Sequence, residues 1–407
     1  MIELNTLQAP QQNRYDIVIV GGAIMGSATA WFLSDDADFT GRVLVVEKDP
    51  SYATASTTHT NSCMRQQFST ALNVRISQFA ADYVKNLRRY LGDDDRVPSL
   101  SIHSFGYLYL ADTVEFGDHL RRACAVQNGA GAATKLLDPD QIAEAYPFYN
   151  VSDIVLGSLN LVDEGAWDGS AVFDWWRRKA RERGVEYIHN EVVAIDKNRA
   201  GTRVESITLA TGEKIACGQI LNASGPRADR TARMAGIDVP VEPRKRFTWV
   251  ISAEKPLDRD LPLTIDPRGV HIREHGGGTY MVGAYPMVDP AVDYDDFAMD
   301  PDIWQDHVWP IIADRIPQFE AIKVQSEWAG HYAYNTLDQN AIVGPHPVVE
   351  NFYFINGFSG HGLQQSPAMG RGTAEMLVHG EYRSLDLSPF HFERLSGADR
   401  HIETAVI

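Results

Sequence analysis

Residues 15–47, YDIVIVGGAIMGSATAWFLSDDADFTGRVLVVE, decide the fold of this chain. The apolar, β-branched run 15–20 predicts a buried parallel strand, and the glycine-rich turn after it leads into a helical pattern over 27–34. A second apolar run, 42–46, predicts another strand that ends in Glu47. A strand, a glycine turn, a helix, a second strand and a terminal acid, in this order, predict a dinucleotide-binding βαβ unit.

The turn and the acid each have a chemical reason. Glycine lets the backbone come close to a pyrophosphate, whose charge the free N–H groups of a helix N-terminus receive. Ala23 replaces the middle glycine of the G-x-G-x-x-G pattern, and the alternative interpretation is a plain βαβ unit with a glycine-rich turn. Glu47 would accept hydrogen bonds from ribose hydroxyls and would disfavour a 2′-phosphate. The predicted cofactor contacts in this stretch are Gly21, Gly22, Ala23, Ile24, Met25, Gly26, Glu47 and Lys48.

Length, charge and cysteine usage exclude several functional classes. A chain of 407 residues suits two domain-sized units, and a net charge of −17, from 37 basic and 54 acidic residues, makes nucleic acid and anionic membranes poor partners. The three cysteines are far apart without a C-x-x-C pair, which predicts a reducing compartment, no disulfide framework and no metal site. A polar N-terminus and the lack of a long apolar run predict a cytoplasmic protein without a membrane span.

Further stretches are typical of close contact with a cofactor. Residues 56–59 form a small, hydroxyl-rich loop that ends in a histidine, and a predicted strand runs into the small-residue turn 223–225. The glycine-spaced run 357–364 precedes a helix, whose N-terminus would stabilise negative charge. An ordinary helix-entry loop and ordinary sheet strands are the alternatives. The candidate cofactor residues are Ser56, Thr57, Thr58, His59, Val192, Val193, Ala223, Ser224, Gly225, Gly357, Phe358, Ser359, Gly360, His361, Gly362, Leu363 and Gln364.

With these motifs in place, the chain resembles the D-amino acid oxidase/sarcosine oxidase/glycine oxidase superfamily of FAD enzymes. The resemblance is carried by the N-terminal fingerprint, by 222–225 (NASG) and above all by 357–362 (GFSGHG). A closer resemblance, in 65–69 (RQQFS) and 241–246 (VEPRKR), is to a mitochondrial FAD-dependent oxidoreductase domain-containing group linked to assembly of respiratory complex I.

The resemblance implies an α/β fold in which a Rossmann-type FAD-binding domain accompanies a discontinuous substrate domain built on an antiparallel sheet. The FAD-binding domain is expected to comprise 1–95, 150–240 and 330–407. The substrate domain is expected to comprise 96–149 and 241–329.

The activity that the resemblance implies is oxidation of a C–N bond. The expected substrate is a small, N-substituted amino acid similar to sarcosine or dimethylglycine, which transfers hydride to flavin N5. Oxygen or another molecule would accept the electrons. A D-amino acid dehydrogenase and a flavoprotein with a binding or assembly role are the alternatives, and the oligomeric state stays open. An NAD-dependent enzyme is disfavoured because the C-terminal glycine run would have no role in it.

Candidate substrate-side residues follow from the same resemblance. Arg65 and Arg246 would bind a substrate carboxylate, unless they form structural ion pairs. Gln364 stands where monomeric sarcosine oxidase has its carboxylate-binding lysine, which leaves the carboxylate clamp incomplete or implies a different substrate. The oxygen-activating lysine of that enzyme falls near Met281, which favours a dehydrogenase over an oxidase. His331 takes the position of its flavin-linking cysteine. FAD is therefore expected to bind non-covalently, with a covalent bond through His59 as the alternative. The candidate catalytic residues are Arg65, Arg246, His331, Tyr332, Tyr334 and Gln364.

Overall fold

The computed structural model describes residues 6–397 and 401–405. Its strands are, in chain order, β1 Arg14–Val20, β2 Val43–Glu47, β3 Cys63–Met64, β4 Tyr107–Ala111, β5 Lys135–Leu137, β6 Leu156–Asn160, β7 Gly165–Ala166, β8 Glu186–His189, β9 Val192–Lys197, β10 Val204–Leu209, β11 Lys214–Asn222, β12 Val241–Ala253, β13 Leu263–Ile265, β14 Val270–Gly276, β15 Thr279–Ala284, β16 Ile322–Asn335, β17 Ile342–Pro345 and β18 Phe352–Asn356. Its α-helices are α1 Ile24–Asp35, α2 Ala71–Lys85, α3 Leu87–Tyr90, α4 Val114–Gly129, α5 Pro139–Ala145, α6 Gly169–Glu182, α7 Ala228–Met234, α8 Trp309–Arg315 and α9 Gly362–His379.

Strand β1 lies near the centre of the first sheet. The order β18-β11-β1-β2-β8 is parallel throughout, β17 pairs antiparallel with β18, and the antiparallel strands β9 and β10 extend from β11. Along β1, Ile17 and Ile19 belong to the core that contains α1, α6 and α9, whereas Val18 and Val20 belong to the core on the opposite face. Burial on both faces explains the unbroken apolar run of this strand.

The second sheet has the order β16-β12-β15-β14-β13-β4-β6-β5 and is antiparallel except for the pair β13 and β4. Its core contains the strand residues Val270 and Ile272 together with residues of α8. The predicted fold class, a Rossmann-type FAD-binding domain with a second domain on a largely antiparallel sheet, is confirmed.

One segment differs from the predicted domain boundaries. Strand β6, which the sequence assigned to the FAD-binding domain with 150–240, pairs with β4 over its whole length and therefore joins the second sheet. Strand β16 also continues past residue 330 within the second sheet. The other boundaries stay predictions. In the part of the chain that the structure describes, no helix is long and apolar enough to cross a membrane.

Candidate functional site

A cavity of about 330 Å³ lies where the two sheets meet. Val20, Val46 and Ala223, at or just beyond the carboxyl ends of β1, β2 and β11, line one part of it. Thr248 and His271, on β12 and β14 of the second sheet, line another part. The carboxyl ends of parallel strands are the usual place for a ligand in such a sheet.

The glycine turn after β1 is shaped by a close approach between two strand ends. Gly21 has a φ of +101°, and a Cβ there would lie 2.5 Å from the main-chain oxygen of Ala223. Helix α1 then begins without a side-chain cap at Ala23, whose backbone is extended. Thr57 accepts a 3.2 Å hydrogen bond from the N–H of Ile24. Thr57 thus takes one N–H of the first turn, and the helix start, whose own N-cap residue supplies no side-chain bond, favours an anionic group in the cavity.

Glu47 is tied to this turn. Its Oε2 accepts a 2.7 Å hydrogen bond from the N–H of Gly22, and its Oε1 accepts a 2.8 Å bond from the N–H of Asp49. Burial raises the pKa of Glu47 above its usual value. Because each carboxylate oxygen has two lone pairs, capacity remains for the hydroxyls of a ribose.

A second helix start lies on the same cavity. Helix α9 begins at Gly362, and its N-cap residue His361 provides no side-chain cap. Before it, Gly360 has a φ of +94°, and a Cβ there would overlap the ring of Tyr332. The glycine therefore allows the chain to pass directly against the second sheet. This helix start would stabilise negative charge on a bound ligand.

The loop containing residues 56–59 connects the two domains. Ser56 donates a 2.6 Å hydrogen bond to the main-chain oxygen of His331 on β16. The ring of Phe297 stacks on His331, with centroids 4.2 Å apart, and on His59, with centroids 6.0 Å apart. His59 Nδ1 lies 3.1 Å from the main-chain oxygen of Ala55. The two candidate flavin-linking positions, 59 and 331, are thus held against one aromatic ring.

The structure brings most of the predicted residues together around the cavity. Those that line it are Gly21, Ala23, Ile24, Met25, Glu47, Lys48, Ser56, Thr57, His59, Arg65, Val192, Ala223, Ser224, Gly225, Arg246, His331, Tyr332, Phe358, Ser359, Gly360, His361, Gly362, Leu363 and Gln364. Those that do not line it are Gly22, Gly26, Thr58, Val193, Tyr334 and Gly357.

The exceptions have physical reasons. Val193 follows Val192 in β9 and therefore points the other way, with 47% of its surface exposed. A Cβ at Gly26 would collide with the carbonyl of Gly21, so this glycine serves packing within the turn. Tyr334 lies beneath the guanidinium of Arg244, 4.2 Å from its carbon to the ring centroid.

Arg65 is at the cavity but its guanidinium is already engaged. The side chain is 2% exposed and donates to the main-chain oxygens of Gln67 and Ala405. The guanidinium carbon also lies 4.2 Å from the ring centroid of Phe68. The backbone of Arg65 is fixed as well, since its N–H donates to Gln364 Oε1 at 2.8 Å.

Arg246 approaches the cavity from the second sheet. Its Nη1 and Nη2 donate to the two carboxylate oxygens of Asp289 at 2.9 Å and 3.0 Å. The guanidinium carbon lies 4.6 Å from the ring centroid of Tyr332. Arg246 and Tyr332 therefore form a cationic and aromatic corner of the cavity.

The sequence interpretation missed Asn61 and His271, which both line the cavity. The amide nitrogen of Asn61 lies 2.6 Å from His271 Nε2, and the Asn61 Oδ1 atom is buried with no partner among the described residues. Burial, with the charges of Arg273 and Arg246, lowers the pKa of His271 to about 4. The ring is therefore neutral at pH 7, and its Nε2 accepts from the amide of Asn61.

The alternation of apolar and polar residues along β14 indicates the side of the sheet to which His271 points. On β14, Val270 and Ile272 pack in the core of the second domain, so the polar residues that alternate with them face the opposite side. His271 also needs Gly283 on the neighbouring strand, because a Cβ there would overlap its ring.

Comparison with known proteins decides the family. Residues 16–376 match the DAO family, described as FAD dependent oxidoreductase. The chain belongs to this family. Within it, the chain is 36% identical to FAD-dependent oxidoreductase domain-containing protein 1 of Xenopus laevis, over 97% of this chain and 85% of that protein.

Two further members connect the family to named substrates. The chain is 22% identical to mitochondrial sarcosine dehydrogenase of Mus musculus, over 94% of this chain and 42% of that protein. The crystal structure of L-proline dehydrogenase from P. horikoshii superposes with a TM-score of 0.81 and 26% identity, over 94% of this chain and 98% of that one.

The cavity residues fit FAD, the cofactor of this family. The starts of α1 and α9, whose N-cap residues supply no side-chain bond, provide N–H groups for a pyrophosphate and for an electron-rich ring edge. Glu47 lies at the end of β2 with capacity for ribose hydroxyls. Gly21, which has no side chain, lines the cavity where β1 and β11 approach each other. This DAO-family chain is an FAD-dependent oxidoreductase.

Proposed function

We propose that this protein oxidises the C–N bond of a small, N-substituted amino acid. The observation that carries the proposal is that Arg246, Tyr332 and Asn61 all line the cavity, with the Arg246 guanidinium carbon 4.6 Å from the ring centroid of Tyr332. A cation, an aromatic wall and a neutral hydrogen-bond acceptor are the groups that a small amino acid needs. Sarcosine and L-proline, named in two relatives, are both secondary amines.

The protein residues would hold and orient the substrate. Arg246 offers the guanidinium for a carboxylate, and such a pair fixes orientation as well as position. FAD supplies the hydride acceptor. Oxidation requires an uncharged amine. The Oδ1 atom of Asn61, buried without a partner among the described residues, would accept a hydrogen bond from the amine N–H, and the neutral ring of His271 holds the Asn61 amide nitrogen. The nearby guanidinium groups of Arg246 and Arg273 would further disfavour a protonated amine.

We further propose non-covalent FAD and an electron acceptor other than oxygen. The second point is supported by Met281, which stands where monomeric sarcosine oxidase has its oxygen-activating lysine. Met281 Sδ lies 3.3 Å from Nη2 of Arg273, a cation that does not line the cavity.

A binding or assembly role is the second candidate. It is favoured by the fact that both candidate carboxylate-binding arginines are engaged by the protein itself. Arg65 donates to main-chain oxygens and Arg246 to Asp289. In that role, the chain would hold FAD without turning over a small substrate.

Turnover of an artificial electron acceptor separates the two functions. The substrates to compare are sarcosine, dimethylglycine, proline, iminodiacetate and D-amino acids, each beside the 2-hydroxy acid that matches it in size. We expect turnover with at least one N-substituted amino acid and none with its hydroxy acid. Absence of turnover across the whole series would favour the binding role, and turnover confined to the D-amino acids would favour a D-amino acid dehydrogenase.

A further inference from the structure

Asp289 forms an ion pair with Arg246, the cation that a substrate carboxylate would need. It contacts Arg246 through both carboxylate oxygens, the two-pronged geometry that a bound carboxylate ligand adopts with a guanidinium. One of these oxygens also lies 3.5 Å from Nη1 of Arg244. Arg246 lines the cavity, whereas Asp289 does not, so the acid approaches from the outer side of the guanidinium.

Asp289 belongs to a connection of irregular structure between β15 and the helical turn that begins at Trp304. Just before it, Met287 and Val288 are 73% and 77% exposed. Later in the connection, Asp295 forms a 2.6 Å ion pair with Arg227 and lines the cavity. The connection is thus fixed at Asp295 and at Val292, whose N–H donates a 3.0 Å hydrogen bond to the main-chain oxygen of Pro243, while the side chains of Met287 and Val288 are largely exposed.

The guanidinium of Arg246 retains capacity for another acceptor. Its Nε is buried and has no partner among the described residues. An unpaired buried donor is unfavourable, and a ligand carboxylate is an acceptor that would satisfy it. The ring of Tyr332 beneath the guanidinium keeps the group in place when Asp289 leaves.

We propose that Asp289 is an internal competitor of the substrate carboxylate and thereby sets specificity at this site. A ligand with a carboxylate binds by displacing Asp289 from Arg246, and a neutral amine has no group that can do so. Displaced Asp289 keeps a cationic neighbour in Arg244, which also pairs with Glu242 at 3.3 Å. The inference rests on the proposed function, because it takes the carboxylate of an amino acid as the natural competitor.

The test uses the FAD-loaded protein with acetate, the carboxylate part of glycine derivatives, and acetamide as its neutral match. Binding is measured from the change in the visible flavin spectrum. We expect Asp289→Asn to lower the dissociation constant for acetate about tenfold, because the carboxylate of residue 289 no longer competes for Arg246. The dissociation constant for acetamide should not change. Glu242→Gln removes a carboxylate that pairs with Arg244 and, among the described residues, not with Arg246, so it is the charge-matched control and should change acetate binding far less.

Two outcomes overturn the inference. Unchanged acetate binding in Asp289→Asn would show that no competition exists, and weaker binding would show that Asp289 instead positions Arg246. If Asp289→Asn loses its flavin, the same measurement is made on Asp289→Ser. Since binding is measured without turnover, tighter acetate binding in a protein that oxidises no amine would contradict the proposed function alone.

Discussion

The main-chain N–H of Arg65 donates a 2.8 Å hydrogen bond to Oε1 of Gln364, 299 positions further along the chain. The bond joins the segment after β3 to the first turn of α9, and both residues line the cavity. The side chain of Gln364 is 5% exposed. Its amide oxygen is therefore part of the structure that shapes the cavity, whatever else its amide nitrogen contacts.

Replacing Gln364 by leucine should destabilise the protein. The change keeps a side chain of similar size but leaves the buried N–H of Arg65 without an acceptor, which costs about 1–3 kcal/mol. Chemical denaturation of the flavin-free protein measures the loss. Gln325→Leu, at an exposed glutamine whose amide contacts Ser252, is the control and should change the free energy of unfolding by less than about 0.5 kcal/mol. Equal effects would contradict the structural role of Gln364.

Gly21→Ala tests the close approach between β1 and β11. Gly184 is the matched control, because its φ of +91° is similar to that of Gly21 and a Cβ there would meet nothing within 4 Å. We expect Gly184→Ala to lower the free energy of unfolding by about 1–2 kcal/mol through backbone strain alone. Gly21→Ala should lower the free energy of unfolding clearly more and should weaken FAD binding, since the Cβ would push against the main-chain oxygen of Ala223. Equal losses in the two variants would disprove the close approach.

Glu164 should make stability depend on pH. Burial raises its pKa from 4.5 to about 7, although Gln66, Gln67 and Asn160 all donate to its carboxylate. Between pH 4.5 and 7 the folded protein therefore keeps a proton on Glu164 that the unfolded chain releases. The stability that this bound proton contributes is complete below pH 4.5 and disappears as the pH rises through 7.

Glu164→Gln removes this titration, since an amide stays neutral. Relative to the variant, the natural protein should lose on the order of 3 kcal/mol of unfolding free energy between pH 4.5 and 7, and nothing more above that. Denaturation of both proteins across this pH range measures the difference. Parallel pH profiles would mean that Glu164 keeps an ordinary pKa in the folded state.

The attachment of the flavin can be tested at His59. The ring lies at the cavity, packed against Phe297, with Gly330 leaving room for its Cβ. We expect acid precipitation of the FAD-loaded protein to release all flavin into the supernatant. A yellow pellet that becomes colourless in His59→Ala would instead establish a covalent bond at this histidine, and a pellet that stays yellow in the variant would point to a bond elsewhere.

The sequence predicts those parts of the fold that depend on local pattern. The strand–turn–helix–strand run of 15–47 contains its own periodicity, its turn glycines and its terminal acid, so β1, α1 and β2 follow from it. The sheet to which β6 belongs does not follow from the sequence, because a strand of five residues carries no signal of which sheet it joins. Among the contacts that the structure adds at the cavity are Asn61 with His271, Arg65 with Ala405 and Arg246 with Asp289.

Those contacts depend on distant segments and irregular loops. Arg65 and Ala405 are separated by 340 positions, and Asp289 lies in a connection without regular structure. No period or spacing links such pairs before the chain is folded. The family resemblance nevertheless predicts Arg65 and Arg246 as cations beside the substrate, and both line the cavity.

Reduction of cavity-bound FAD by an amino acid with a substituted nitrogen is the reaction that we propose. Its most direct test is to mix the FAD-loaded protein with sarcosine, dimethylglycine or proline in the absence of oxygen and to follow the visible flavin band. We predict that at least one of these compounds bleaches the band, and that the colour returns slowly in air but rapidly with an artificial acceptor. An unchanged band with every amine, in a protein that chemical reduction does bleach, would contradict it.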